Sequence, residues 1–116
     1  MTVSRLIRLE GLTVFVVSIF LFGASNGIWW VYLLFFLAPD VSMLGYLGGP
    51  RTGAWIYNLV HTYVAPIAVI VVGYALKYDP VLLAGIIWLG HIGADRLLGF
   101  GLKYPTAFKD THLQRV

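Results

Sequence analysis

The sequence predicts an all-α membrane protein with four transmembrane helices and both termini in the cytoplasm. Of its 116 residues, 59% are hydrophobic and only 11% are charged, whereas soluble domains have about 25% charged residues. Four apolar stretches each have roughly the 20 residues that a helix needs to cross the hydrocarbon core of a bilayer. In lipid every backbone polar group must be bonded within the structure, so the spans are expected to be helices. Residues 1–116 are therefore interpreted as a single four-helix domain.

The first helix is expected at about residues 6–24, and Arg5 and Arg8 lie at its start. Its apolar run is too long for the core of a cleaved signal peptide, and residues 24–27 form only a weak cleavage site, so we expect a retained helix. The second helix is expected at about residues 28–47. Pro39 lies inside it, where a proline removes one backbone hydrogen bond and tends to kink the helix.

The third helix is expected at about residues 54–76, with Thr52 as its capping residue. The fourth is expected at about residues 81–102, ended by Pro105. A short C-terminal tail, residues 103–116, follows. Phe108 and Leu113 are apolar enough to hold this tail against the bundle, over its cytoplasmic mouth.

The distribution of lysine and arginine predicts the orientation. All but one of these residues lie near the termini or in the second loop, the exception being Lys77 on the other side. By the positive-inside rule the termini are cytoplasmic, which puts Trp29 and Trp30 at the outer interface, where their rings are favoured. We expect a multi-pass protein of the inner cell membrane. Its partner is expected to be the lipid bilayer and not nucleic acid, and a homodimer is compatible with its small size.

Five ionisable side chains lie inside the apolar stretches, and they are the candidate catalytic residues: Glu10, Asp40, His61, His91 and Asp95. A charged group in hydrocarbon costs about 2.5–3.5 kcal/mol even on lenient scales, so such groups persist mainly where they face a bundle interior, a partner or a ligand. At about 1.5 Å per residue, all five lie roughly 5–15 Å inside the cytoplasmic helix ends. We therefore expect them to share one cavity on that side.

Four of these residues are candidate metal ligands. His91 and Asp95 are spaced i,i+4, which puts them on one face of the fourth helix. With His61 and Asp40 from neighbouring helices they form a set of imidazoles and carboxylates that suits a divalent metal, Zn, Mn or Fe, by ligand hardness. In a second interpretation Asp95 orients His91 as a general base and no metal is needed. The chain has no cysteine, which excludes thiolate ligands.

Basic residues near the same side are candidates for binding the polar or anionic head of a substrate: Arg51, Arg96, Lys103, Lys109 and His112. Arg51 lies in the glycine-rich loop, residues 45–53, which lacks the spacing of a phosphate-binding motif. Attraction of the basic tail to anionic lipid is an alternative role for these residues.

A family resemblance rests on two stretches near the C-terminus. The run Gly90–Arg96, together with the signature in residues 101–113, resembles a bacterial family of small membrane proteins described only as a domain of unknown function. The similarity extends to Pro39 with its neighbours and to the His61 region. The resemblance implies a four-helix membrane protein and brings no activity with it.

Four functional hypotheses follow. The first is an intramembrane enzyme, metal-dependent or acid–base, that acts on a lipid-soluble small molecule with a polar or anionic head. The second is a proton- or cation-coupled transporter, because four spans with Glu10 in the first are similar in outline to the small multidrug resistance exporters. The third is a haem protein with His61 and His91 as axial ligands, which nearby carboxylates disfavour. The fourth is a structural or accessory subunit whose polar residues only set helix register.

Overall fold

The computed structural model describes residues 2–106 and 109–116, and these residues form helices and connecting turns. No strand occurs among them, and Lys103 and Thr111 form an isolated bridge. This confirms the all-α prediction. In chain order the elements are α1 Val3–Ala24, α2 Trp29–Phe35, a 3₁₀ segment Ala38–Gly48, α3 Pro50–His61, α4 Val64–Ala75, α5 Asp79–Leu98 and α6 His112–Arg115.

Within the described residues, three stretches are long and apolar enough to cross a membrane: residues 3–24, 29–48 and 79–98. Helices α3 and α4 meet at a bend of 40° and would make a fourth span if they cross together. The apolar helices suggest a membrane protein. The number of spans and the side on which the termini lie stay predictions.

Helix α5 is the central element, and it packs against α1 and α4 through glycines. A Cβ on Gly93 would lie 2.7 Å from the carbonyl oxygen of Gly11, and one on Gly11 would clash with α5 in return. Small residues of this kind let two helix backbones approach closely in a membrane. Half of an 18-residue apolar stretch of α5 is buried, against 17% of the corresponding stretch of α1, so the core lies around α5.

The second predicted helix is broken near Pro39. Because proline has no N–H, α2 ends at Phe35, and the chain continues as the 3₁₀ segment. There the N–H of Asp40 donates to the carbonyl of Leu37 at 3.0 Å and not to that of Phe36, its partner in a continuous α-helix. The break thus removes the helical partner of the Phe36 carbonyl and turns Asp40 away from the path of α2.

The third predicted helix is broken as well, between His61 and Val64. Pro66 lies in the first turn of α4, where a proline is tolerated because that N–H has no helical partner, and the extended backbone of Thr62 precedes it. Two side chains of α5 bind carbonyls left free at the end of α3. Trp88 Nε1 donates to Val60 O at 2.7 Å, and Arg96 donates to His61 O at 2.9 Å.

The fourth predicted helix ends at Leu98, before the expected residue 102. Gly99 is in the left-handed conformation, with φ of 96°, and its N–H donates to Arg96 O. The N–H of Phe100 donates to Asp95 O at 2.7 Å, which completes a glycine-based helix end. Thus a glycine ends the helix, and Pro105 lies in a later turn.

The C-terminal tail folds back onto α3. The side-chain amide of Asn58 donates to Lys103 O at 2.7 Å and accepts from Lys103 N at 2.6 Å. The N–H of Leu102 donates to His112 Nδ1 at 2.8 Å, and Leu113 is buried. Leu113 therefore anchors the tail as expected, whereas the expectation for Phe108 lies outside the described residues.

Candidate metal centre

Four side chains from three separate elements converge on one point, and we name them the His/Asp cluster: Asp40, His61, His91 and Asp95. Each offers one ligand atom, and these atoms all lie within 4.8 Å of one another. The 3₁₀ segment supplies Asp40, the last turn of α3 supplies His61, and α5 supplies the other two. The four candidate metal ligands thus lie together in the structure.

The ring of His61 is held in one orientation by its own helix. It stacks on the ring of Tyr57, one turn earlier, with centroids 3.8 Å apart and planes 6° apart. Its Nδ1 lies 2.9 Å from the carbonyl oxygen of Tyr57. Because a carbonyl can only accept, Nδ1 carries the proton, and Nε2 turns an unprotonated lone pair into the cluster. A backbone carbonyl on the outer nitrogen is the usual support of a metal-binding histidine.

His91 and Asp95 confirm the predicted i,i+4 pairing on α5. Nε2 of His91 lies 3.2 Å from Asp95 Oδ2 and 3.2 Å from Asp40 Oδ1. The edge of the His91 ring packs against Phe36, with centroids 5.4 Å apart. Among the described residues, Nδ1 of His91 makes no hydrogen bond, and the backbone of Phe36 is its polar neighbour. The break after α2 therefore lies next to this imidazole.

The cluster has more acceptors than donors. Nε2 of His61 faces Asp40 Oδ1 at 3.4 Å and Asp95 Oδ2 at 3.5 Å, and it lies 3.2 Å from His91 Nε2. Of these four atoms, only His91 Nε2 can carry a proton while the carboxylates are charged and the imidazoles neutral. Burying so many lone pairs without donors is costly, so the arrangement requires either a cation or additional protons.

The spacing of the four atoms suits a tetrahedral ion. Zinc binds imidazole nitrogen and carboxylate oxygen at about 2.0–2.2 Å, and the edge of a tetrahedron is 1.63 times its radius, so neighbouring ligand atoms should lie about 3.3–3.6 Å apart. Five of the six separations run from 3.2 to 3.5 Å, and the sixth, between the carboxylates of Asp40 and Asp95, is within 4.8 Å. A small movement of side chains would therefore complete the coordination of a divalent cation.

The members of the cluster differ in exposure. The side chains of His61 and His91 are 0% and 1% exposed and that of Asp95 is 15% exposed, whereas that of Asp40 is 35% exposed. Access to the centre is therefore from the side of Asp40. The two imidazoles lie on the side of the centre that is closed to solvent.

Glu10, the fifth candidate catalytic residue, is not part of the cluster. It lies on an exposed part of α1, and its carboxylate interacts electrostatically with the hydroxyl of Tyr63. The structure thus brings together four of the five ionisable residues and leaves the one on α1 outside.

Two of the candidate head-binding cations are buried. Arg96 donates to the carbonyls of His61 and Phe100, so it stabilises the backbone around the cluster. Lys103 Nζ lies 4.5 Å from the centre of the Tyr57 ring, a cation–π contact. Burial lowers the pKa of Lys103, and the charges of Asp95 and Asp40 oppose that shift. Lys103 thus interacts electrostatically with both carboxylates of the cluster.

The remaining candidates are Arg51, Lys109 and His112. Arg51 and Lys109 are exposed. Nδ1 of His112 accepts the hydrogen bond from Leu102, and burial, aided by the charge of Arg96, lowers the pKa of His112. Since its ring is used in the tail, His112 has a structural contact in place of the expected one to a substrate.

Two residues that sequence reasoning did not single out shape the centre. Tyr57 stacks on His61 and binds its Nδ1, and the i,i+4 spacing of these two residues was the available signal. Trp88 closes the end of α3 beside His61, and no short-range pattern marks it.

Comparison with known proteins identifies a family and no activity. A family model described as "Domain of unknown function (DUF4260)" matches residues 4–116, which confirms the resemblance noted from the sequence. No curated protein and no solved structure matches the chain.

Proposed function

The chain belongs to the DUF4260 family, a domain of unknown function, and we propose that it is a small membrane metalloenzyme. In this proposal Asp40, His61, His91 and Asp95 hold one divalent cation, Zn, Mn or Fe. The substrate is a lipid-soluble molecule with a polar or anionic head. The observation that carries the proposal is the convergence of four ligand atoms within 4.8 Å of one another, on buried or half-buried side chains, with too few protons among them.

The residues of the chain have distinct parts in this proposal. A bound cation of this kind supplies a Lewis acid or an activated water. His61, fixed by the Tyr57 carbonyl, and His91, on the rigid helix α5, set the geometry of the site. Asp95 adds a carboxylate from the same helix face as His91. Asp40 lies on the accessible side, where a ligand that can shift opens a position for substrate.

Lys103 supports the choice of an anionic or polar head. Its ammonium group lies in the field of both carboxylates of the cluster. A divalent cation would balance the two carboxylates, and the positive charge of Lys103, which packs on the Tyr57 ring, would add to the charge of the cation and favour an anionic group beside it. A phosphate or carboxylate on the substrate matches this charge.

Acid–base chemistry without a metal is the second candidate. The observation in its favour is that His91 Nε2 lies 3.2 Å from an oxygen of each carboxylate, within reach of proton exchange. Additional protons would then satisfy the acceptors of the cluster. The metal content of the protein decides between the two candidates.

The other sequence-based hypotheses have less support. The transporter hypothesis depended on Glu10, which lies apart from the cluster on an exposed face. For a haem, the Nε2 atoms of His61 and His91 are only 3.2 Å apart, which leaves no room for a porphyrin between them. A purely structural cluster stays an alternative, and it predicts no bound metal.

Metal analysis of the purified protein tests the proposal. The full chain would be purified in detergent, dialysed, and its metal content measured for wild type, His91→Ala and His112→Ala. We expect about one divalent cation per chain in wild type, because all four ligands belong to a single site. His91→Ala should lose it. His112→Ala, which removes an imidazole outside the cluster, should keep it.

A wild-type protein that neither contains nor takes up Zn, Mn or Fe would contradict the metalloenzyme proposal. Equal metal content in His91→Ala and wild type would contradict the assignment of ligands, and it would direct attention to another site.

A further inference from the structure

An apolar groove adjoins the His/Asp cluster. Its volume is about 530 Å³, within the range of small-molecule sites. Its lining is apolar throughout, apart from the indole N–H of Trp88, which is bonded to Val60 O. The lining residues are Val31, Phe35, Ala38, Pro39, Val60, Pro80, Leu83, Ala84, Ile87 and Trp88.

The groove is lined mainly by two parts of the chain. One wall follows α5 from Pro80 to Trp88, eight residues or about 12 Å. The other follows α2 and the start of the 3₁₀ segment from Val31 to Pro39. Both walls belong to stretches apolar enough to cross a membrane. Since no water is available at this level, the groove is expected to hold hydrocarbon.

One end of the groove adjoins the cluster. Pro39 precedes Asp40 and Val60 precedes His61 in the chain, and Trp88 lies one helical turn before His91. Hence the 3₁₀ segment, α3 and α5 each contribute a residue to the groove and, within one helical turn of it, a residue to the cluster. An amphiphile with its tail in the groove would present its head to the cluster.

The depth of the cluster limits the size of that head. His91 lies seven residues, about 10 Å, from the end of α5 at Leu98. Both imidazoles are almost fully buried. A phospholipid head would have to be buried at this depth in hydrocarbon, which costs the free energy of removing its charges from water. A terminal carboxyl, aldehyde or hydroxyl group is small enough to be accommodated beside Asp40.

We propose that the groove binds the straight hydrocarbon chain of a fatty acid or a similar single-chain lipid whose small polar end reaches the His/Asp cluster. This inference rests on the proposed function and names its substrate class. It excludes lipids with bulky heads as substrates at this site.

Photolabelling in lipid nanodiscs tests the proposal. The probes are a long-chain fatty acid with a diazirine in mid-chain and a phospholipid that carries the same photoreactive chain. Labelled residues would be mapped by mass spectrometry. We expect the fatty acid to label residues of the groove, such as Leu83 and Ile87, and the phospholipid to label lipid-facing residues without enrichment in the groove.

A matched pair of variants controls for binding in the groove. Ala84→Trp fills the groove from α5, whereas Ala68→Trp adds the same bulk to an exposed position of α4 outside it. Labelling of the groove should fall by about tenfold in the first and stay unchanged in the second, because a filled groove no longer admits the chain. Ala38→Phe, from the opposite wall, repeats the test should Ala84→Trp fold poorly.

Equal labelling of wild type and Ala84→Trp would overturn the proposal, as would equal enrichment of the phospholipid in the groove. Metal content, measured on the same samples, separates the two proposals. Wild type with metal but without labelling of the groove rejects the fatty-acid inference alone. Labelling without metal in any preparation rejects the metalloenzyme proposal and leaves the groove as a fatty-acid site.

Discussion

Two of the buried polar groups that the structure describes along α5 are built in opposite ways. Toward the start of α5, the hydroxyl of Ser18 donates to Ile86 O at 2.6 Å and pairs with the Tyr32 hydroxyl at 3.0 Å, so donors and acceptors are balanced. Further along α5, the His/Asp cluster has four converging ligand atoms and at most one proton among them while the carboxylates are charged and the imidazoles neutral. The first group therefore holds helices together, and the second requires a ligand.

Exposure supports the same contrast. Ser18 is fully buried in contact with aromatic neighbours, and Gly90 lies against its hydroxyl so closely that a Cβ could not fit. The cluster, by comparison, has one partly exposed member, Asp40, and it adjoins an apolar groove. A polar group that serves only helix packing does not require a path by which a ligand can reach it.

Removal of the metal is expected to have the largest effect, and the two groups should respond to it differently. A chelator should lower the free energy of unfolding of the metal-loaded protein by about 4 kcal/mol when free metal had been about 1,000 times its Kd. Ser18→Ala should respond to the chelator like wild type, because its hydroxyl belongs to the balanced group. His61→Ala should not respond at all. Thermal unfolding in detergent, with and without chelator, measures the effect, and an identical response of His61→Ala and wild type would refute it.

The next effect concerns the tail that folds back onto α3. Asn58→Ala removes both hydrogen bonds to the backbone of Lys103, and each buried group left unpaired costs about 1–3 kcal/mol. We expect faster tryptic cleavage after Lys103, with the metal retained. Thr13→Ala is the control, since its hydroxyl bonds only within its own helix, to Leu9 O. Unchanged cleavage in Asn58→Ala would show that the tail is held by other contacts.

A smaller effect is expected from the balanced group itself. Interhelical hydrogen bonds in membrane proteins contribute about 0.6 kcal/mol on average, with a maximum near 1.7. Ser18→Ala should therefore lower the free energy of unfolding within that range and leave the metal content unchanged. Denaturant titration together with metal analysis checks both statements. Loss of metal in Ser18→Ala would mean that the two groups are coupled and that the comparison fails.

The smallest effect is a pH dependence in the tail. The folded-state pKa of His112 is lowered from 6.5, mainly by burial, so the folded state binds this proton less readily than the unfolded state does. Its contribution to stability is complete above pH 6.5 and is lost as the pH falls through the folded-state pKa. The measurement compares tail proteolysis of the metal-loaded wild type and His112→Gln as the pH is lowered. A parallel loss in both proteins would assign the effect to another group.

Helical periodicity and hydropathy were sufficient for the fold class and for the candidate ligands. His91 and Asp95 share a helix face by spacing alone, and depth along each stretch places Asp40 and His61 at the same level. Depth does not determine the direction in which a side chain points, however. Glu10 was predicted at a similar level and lies outside the cluster for that reason.

The breaks within two predicted spans were harder to predict. Pro39 was expected to kink its helix, but the following 3₁₀ segment depends on packing against α3, where Gly45 contacts Ile56. Pro66 was the local signal for the second break, and the prediction of one continuous helix over residues 54–76 did not take it into account. The partners of the freed carbonyls, Trp88 and Arg96, come from a distant part of the chain, so no local pattern predicts them.

The break between α3 and α4 has a consequence for biogenesis. Residues 50–75 leave the ribosome before residues 79–98, so the carbonyls of Val60 and His61 are made before Trp88 and Arg96, which later bind them. If α3 and α4 cross the membrane together, these carbonyls are costly in hydrocarbon until α5 arrives, and the segment then gains its final conformation only after α5. Chains truncated before residue 88 are accordingly expected to remain with the insertion machinery and to be degraded.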